Sequence, residues 1–240
     1  MSGSAAFAAG TAYAAIREHL SLRQANVKIV AHEGSSTPGA FRETHPFLED
    51  LGIMRGLPGM TVIVPADGPS TRGALLAVHR QEGPAYLRLA RGTLPTVSDG
   101  SFEIGRATEL RAGTDLTIVA VGALVVRALE VARTLAEVGI SARVLDFASV
   151  KPFDEPALLR AARDTGAILV LEEHTVLTGV GALVASTTSE NYPVPVRRVG
   201  IPDVLVESDA LPDRLDRYGL GFERIRDEAW ELLRLRGKVT

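Results

Sequence analysis

Two doubly wound α/β domains are predicted, on three observations. Residues 1–98 read as helix, strand, short helical segment, strand, helix, strand, the alternation of a parallel sheet with helical crossovers. Residues 113–240 form a near-continuous strand–helix repeat. Between them GTLPTVSDGSFEIGRATELRAG (92–113) is dominated by Gly, Pro and polar residues, and the interdomain linker is set at 99–112.

Each element has its own warrant. Residues 5–20 are Ala-rich, with Phe7, Tyr13, Ile16 and Leu20 spaced to share a helical face. Residues 27–31 are β-branched and nearly free of charge, as a central parallel strand is, and run directly into His32. A loop rich in Gly, Ser, Thr and Pro leads to His45, followed by the amphipathic segment PFLEDLGIMRGLP (46–58). TVIVP (61–65) is a strand ended by its proline, and ADGPS (66–70) is placed to cap a helix over 71–81 with Leu75, Leu76 and Val78 apolar. In GPAYLRLAR (83–91), Tyr86, Arg88 and Ala90 alternate with Leu87, Leu89 and Arg91, which predicts a strand. A short hairpin is expected around 103–113.

In the second domain, strands are predicted over 116–123, 142–149, 167–174 and 194–202. Helix 125–139 has apolar positions at 125, 128, 129, 132, 135 and 138 and stops at Gly139. Helix 154–166 has Asp154 as N-cap, Pro156 in the first turn and Gly166 at its end. A further helix opens after the Gly-rich turn at 179–181, and two helical segments, 211–219 and 223–237, finish the chain.

Composition narrows the function. The 240 residues are 46% hydrophobic and 23% charged, with a formal charge of −3. That balance gives no electrostatic case for nucleic acid. No apolar run reaches the ~20 residues of a membrane helix, and the N-terminus lacks the basic leader of a signal peptide. A cytoplasmic location is expected. With no Cys, disulfides, thiolate metal sites and a Cys nucleophile are excluded. His32 and His45 bracket a loop beyond a strand's carboxyl end, where ligands sit in open α/β sheets, and so form a site candidate.

An ordered set of motifs adds a resemblance. FAAGTAYAAIR (7–17), NVKIVAHEG (26–34), Thr44-His45 with Glu49-Asp50, MRGLPGMTVIVPAD (54–67), EGPAYLRLAR (82–91), VKPFDE (150–155), LVLEEHTVLTGVG (169–181) and RRVGIPD (197–203) follow one another along the chain. Together they resemble the C-terminal half of a transketolase, more specifically the small subunit of the bacterial split transketolases, within the thiamine-diphosphate enzyme superfamily. The resemblance implies a pyrimidine-binding domain over 1–98, lacking its first βα portion, and a transketolase C-terminal domain over 113–240. It implies one subunit of an enzyme that transfers a two-carbon ketol unit between sugar phosphates or related ketoses and aldoses. The alternatives are a 1-deoxyxylulose-phosphate synthase-like or 2-oxo acid dehydrogenase beta-like subunit, and a degenerate regulatory subunit. The implied cofactors are thiamine diphosphate and Mg2+ or another divalent metal, bound mainly by an N-terminal partner subunit in an α2β2 heterotetramer. This sequence has no Gly-Asp-Gly followed by a spaced Asn to hold a diphosphate.

The same resemblance assigns roles. Phe7 matches an aromatic that stacks on the aminopyrimidine, with Ser4 where relatives often carry a second aromatic. His32 and His45 match catalytic and substrate-binding histidines, able to donate to oxygens and exchange protons near neutrality. Arg91 matches an arginine that receives a sugar phosphate; Arg88 points to the opposite strand face. Transketolases usually read Gly-Glu-Asp-Gly-x-Thr-His where this chain has GAFRETH (39–45). Phe41 and Arg42 stand near the place of that Asp, which makes Arg42 a substrate-binding candidate and predicts a non-standard substrate, a modified sugar or a 2-keto acid. Relatives carry a Glu that activates the cofactor upstream of the Phe7 motif. No Glu precedes Glu18, so the partner is expected to supply it, and the chain alone to expose a sheet edge and behave poorly. Glu172, Glu173 and His174 look like a metal or acid–base cluster, but neighbouring strand residues point apart, and a structural or interface role is expected for them and for Asp203.

Overall fold

The computed structural model describes residues 1–32, 48–90, 92–204 and 214–237. In chain order, β1 (Ser2–Ser4) leads into a helical stretch made of π-helical Ala6–Thr11, the single turn α1 (Tyr13–Ala15) and π-helical Ile16–Ser21. Then come β2 (Lys28–His32), α2 (Asp50–Arg55), β3 (Thr61–Ile63), α3 (Gly68–Arg80) and β4 (Ala85–Arg88). The second half runs β5 (Thr108–Arg111), β6 (Leu116–Ala120), α4 (Leu124–Glu137), β7 (Ala142–Asp146), β8 (Ser149–Lys151) and α5 (Glu155–Thr165). It ends with β9 (Ile168–Thr175), α6 (Val180–Asn191), β10 (Val196–Ile201), α7 (Arg214–Arg217) and α8 (Phe222–Leu235).

These strands make two five-stranded sheets, β1-β2-β4-β3-β8 and β10-β9-β6-β7-β5. Each is parallel except at one edge, where β8 runs antiparallel to β3 and β5 antiparallel to β7. The α/β reading therefore holds for both halves. The expected hairpin at 103–113 does not form, because β5 bonds to β7 rather than folding back on its neighbours. The segment 92–113 is not loose either: Phe102 and Ile104 pack on the apolar cluster of Ile63, Ala74, Val78, Ala85 and Leu87 beneath α3.

Burial corrects three faces. In α3 the inward stripe is Ser70, Ala74 and Val78, spaced by four, while Leu75 and Leu76 are 38% and 41% exposed. Val138 lies past the last buried turn of α4 and is exposed. Ile16 is buried and Tyr13 and Leu20 pack against the core, but Phe7 faces outward. Spacing alone accounts for this: at 3.6 residues per turn Phe7 lies roughly 120–180° around the helix from Tyr13, Ile16 and Leu20, so the four do not share a face.

The core is shared. One apolar cluster joins Ala8, Met54 and Tyr86 of the first half to Val119, Phe147 and Leu158 of the second. Another lies under α4 and α8 on the far face of the second sheet. No helix among the described residues is long and apolar enough to cross a membrane.

Candidate active site

The parallel strands of the first sheet all end at one edge. Ser4, closing β1, pairs in register with His32, closing β2. Ser4 Oγ accepts the Phe7 N–H at 3.2 Å, satisfying a donor that a helix start leaves open. The chain turns there from β1 into the helical stretch, and the Phe7 ring comes to lie over Gly3, 3.7 Å from where a Cβ would be. Phe7 is 49% exposed, and His32 is exposed at the end of the strand paired with β1. An aromatic ring left half in water costs apolar hydration, and a flat heterocycle stacked on it would recover that cost. Arg42, His45 and Arg91 lie outside the described residues.

Behind this edge the two halves meet through a buried polar cluster. Tyr86 donates to Asp50 Oδ2 at 2.7 Å, with both residues fully buried. Arg88, 4% exposed, has Nε at 3.6 Å from the same oxygen and donates from Nη2 to the Glu173 carbonyl at 2.7 Å. A buried guanidinium is tolerated only when it is paired and hydrogen-bonded in this way. Burial, with Asp50 alongside, pushes the Tyr86 hydroxyl far up, so it remains a donor.

The Glu172–His174 run serves both halves. Glu172 is buried and accepts from the Val180 and Gly181 N–H groups at 2.5 and 2.9 Å, at the start of α6. Burial raises its carboxyl to about 7, and these donors, with Arg55 and Arg88, only partly offset the shift. His174 Nε2 accepts the Gly52 N–H at 3.2 Å. Its Nδ1 must then carry the hydrogen, which goes to the Thr175 carbonyl at 2.9 Å. Burial lowers the His174 pKa, an effect that the Arg88 charge adds to and Asp50 opposes. At the far end of α2, Lys151 donates to the Arg55 and Leu57 carbonyls at 2.9 and 2.5 Å. Among the described residues no group of three His, Cys, Asp or Glu is placed to hold a metal ion.

The transketolase pyrimidine-binding domain family matches residues 2–97, and the transketolase C-terminal domain family matches residues 105–225. The chain belongs to the transketolase family. An apulose-4-phosphate transketolase subunit of Phocaeicola vulgatus is 39% identical over 235 residues, covering 97% of this chain and 75% of that protein. The 6-deoxy-6-sulfo-D-fructose transketolase subunit SqwH of a Clostridium species is 40% identical over 209 residues, covering 86% of this chain and 65% of its own length. A split-gene transketolase solved as an inactive beta4 tetramer superposes with a TM-score of 0.90 at 43% identity, over 98% of this chain and 76% of that one. A transketolase from Pichia stipitis shares the fold, with a TM-score of 0.76 at 21% identity, over 99% of this chain and 34% of its own. Relatives named as transketolase subunits are transferases, so the family is one of transferases.

The sequence put Phe7 and His32 near this edge and expected a structural or interface role for the Glu172–His174 run, but it gave no partner for Asp50, Arg88 or the His174 ring. One signal was available. Tyr86 and Arg88 share a face of a strand whose other residues are apolar, and a charged residue in a buried strand needs a partner. The partner's identity was not readable, because Asp50 and Glu173 reach Arg88 only through the tertiary fold.

Proposed function

We propose that this chain is the C-terminal subunit of a split, thiamine-diphosphate-dependent transketolase-type enzyme. It transfers a two-carbon ketol unit between ketose and aldose substrates, in association with an N-terminal partner subunit. The observation that carries this reading is the match of nearly the whole chain to a named transketolase subunit and to a split-gene transketolase. The working units are residues 1–98, which face the aminopyrimidine, a linker at 99–112, and residues 113–240. In this reading the partner holds the diphosphate and its divalent metal, while this chain supplies the pyrimidine-binding and C-terminal domains that it matches. An α2β2 assembly is the arrangement we expect.

The residues present suit the pyrimidine half of the cofactor: a half-exposed aromatic at a sheet edge, backed by a helix turn that Ser4 holds. Bound thiamine diphosphate would supply the carbon that carries the two-carbon unit. Phe7 orients the ring and keeps water from one side of it. His32 and His45 donate to substrate oxygens and exchange protons there, and Arg91 takes the terminal anionic group with a planar, permanently charged fork. Arg42, in the GAFRE stretch, selects the donor. The named relatives act on an apulose phosphate and a sulfonated fructose, which favours a donor other than a common pentose or hexose phosphate.

The test is co-expression with a candidate N-terminal transketolase subunit from the same genome, followed by titration with thiamine diphosphate and a ketol-transfer assay over a panel of ketoses. A stable complex that binds the cofactor and transfers the unit is expected. Phe7→Ala should weaken cofactor binding about tenfold, roughly 1.4 kcal/mol, in a complex that still assembles. A complex that assembles but neither binds thiamine diphosphate nor transfers the unit would overturn the reading. Ordinary turnover of xylulose 5-phosphate with ribose 5-phosphate would overturn the unusual donor alone.

A further inference from the structure

The second sheet has an open cavity at the carboxyl ends of β9 and its edge strand β10, where parallel sheets receive ligands. It holds about 610 Å³, with α7 and the first turns of α8 as its far wall, a volume that fits a small organic molecule rather than one ion. Among the described residues three guanidiniums line it, those of Arg198, Arg217 and Arg224, against one carboxylate, that of Glu228. Each is placed by its own contact. A Cβ at Gly181 would lie 3.0 Å from Arg198 Cγ, so glycine admits the arginine stem, and Arg198 Nη1 donates to the Val176 carbonyl at 2.9 Å. The Arg217 guanidinium stands 5.9 Å from the centre of the Tyr218 ring. Arg224 pairs with Glu228, which also has Arg197 Nε at 3.7 Å. The other acids close in sequence are not on the wall: Glu223 pairs with Arg226, and Asp216 lies against Gly221 at the start of α8. Asp216 thus stands at the helix end, and the positive field of the cavity comes from side chains. Helix preference does not explain Arg224. A cation in the first turn faces the positive end of the dipole, and Arg four residues before Glu is the weaker order of an ion pair.

We infer that this cavity binds a small organic phosphate, with its phosphoryl oxygens on Arg198, Arg217 and Arg224. Planar guanidiniums take phosphate oxygens two at a time, and their charge is permanent. The rest of the wall is apolar, with Val199, Pro202 and Val204, the last 52% exposed. It suits the carbon part of such a ligand, which would cover Val204 from water. The site does not depend on the ketol-transfer reading, because its residues belong to the second domain and include none of Phe7, His32, Arg42, His45 and Arg91.

The experiment is calorimetric titration of the full chain at low salt with fructose 1,6-bisphosphate, adenosine 5′-monophosphate and inorganic phosphate, with unphosphorylated fructose as a control. Saturable binding of at least one of the two organic phosphates is expected, and none of fructose. Arg198→Gln and Arg224→Gln should each weaken that binding about tenfold, the loss of a charge-assisted contact. Arg226→Gln removes the same charge from the α4 side of α8 and should leave the affinity within about twofold. Glu228→Gln removes the one acid of the wall and should tighten binding about threefold. Arg198→Lys keeps the charge without the fork and should fall between wild type and Arg198→Gln, which supplies the comparison if melting curves show that Arg224→Gln does not fold. Four results would overturn the inference: no binding of either organic phosphate, unchanged affinity in the Arg198 and Arg224 variants, an equal loss in Arg226→Gln, or inorganic phosphate binding as tightly as the organic phosphates, an adventitious ion only.

Discussion

Asp67 shows how one carboxylate holds a helix and a linker together. Its Oδ1 accepts from the Ser70 N–H at 2.9 Å and the Ser98 hydroxyl at 2.7 Å, and its Oδ2 from the Val97 and Ser98 N–H groups, each at 2.8 Å. The Asp67 N–H donates back to Ser70 Oγ at 3.0 Å, a reciprocal cap with Ser in the place of the usual Glu. Burial by itself would raise this carboxyl, but the four donors outweigh it and bring the pKa down to about 2. Because the folded value is depressed, the stability it contributes is present above its ordinary 3.8 and is lost as pH falls toward 2. Asp67→Ala is expected to cost about 3 kcal/mol, from the lost cap and the orphaned linker donors. A urea titration at neutral pH would read this as a lower midpoint.

At the scale of elements, α6 is started by a side chain from the strand before it. The Glu172 carboxylate occupies the space where the first-turn N–H groups converge, and glycine is what admits it. A Cβ at Gly179 would collide with Glu172 Oε2, and one at Gly181 would lie 2.8 Å from Oε1. Gly179→Ala is therefore expected to destabilise the fold by roughly 2–3 kcal/mol. In the double variant with Glu172→Ala the added cost of the alanine should shrink, because the two sites share one space. Thermal melts of the single and double variants measure that coupling. β8 is the second element of note: it comes from the later half of the chain yet closes the first sheet, and its Lys151 holds the end of α2.

Across the whole molecule, the two sheets share one apolar cluster and a line of buried ionisable groups. Asp146, at the end of β7, is 4% exposed, and its Oδ1 has no hydrogen-bond partner among the described residues. Burial, reinforced by the Asp67 charge, raises its pKa to about 8. The folded protein therefore binds a proton that the unfolded chain releases above about 3.8, and stability falls as pH rises from there to about 8. Glu172, raised to about 7, adds the same sign over the window from 4.5. Asp146→Asn should flatten the melting temperature against pH up to about 8 and leave a smaller slope from Glu172. An unchanged slope in a calorimetric pH series would count against this account.

By itself the sequence determined the α/β class, the order of the longer helices and strands, the Asp154 cap and Gly166 end of α5, and the strand-end placement of His32. These follow from period, propensity and capping, which act over a few neighbouring residues. Only the tertiary structure decided that the three-residue β1 joins the sheet beside β2 and that β8 crosses into the first sheet. It also decided the specific contacts behind the structural role expected of Glu172 and His174, which hold α6 and α2. A strand of three residues carries too little pattern to read, and the Arg88–Asp50 and His174–Gly52 contacts join residues that are distant in the chain. Such partners are selected by the need to satisfy every buried polar group, and that need arises only when the two halves have packed.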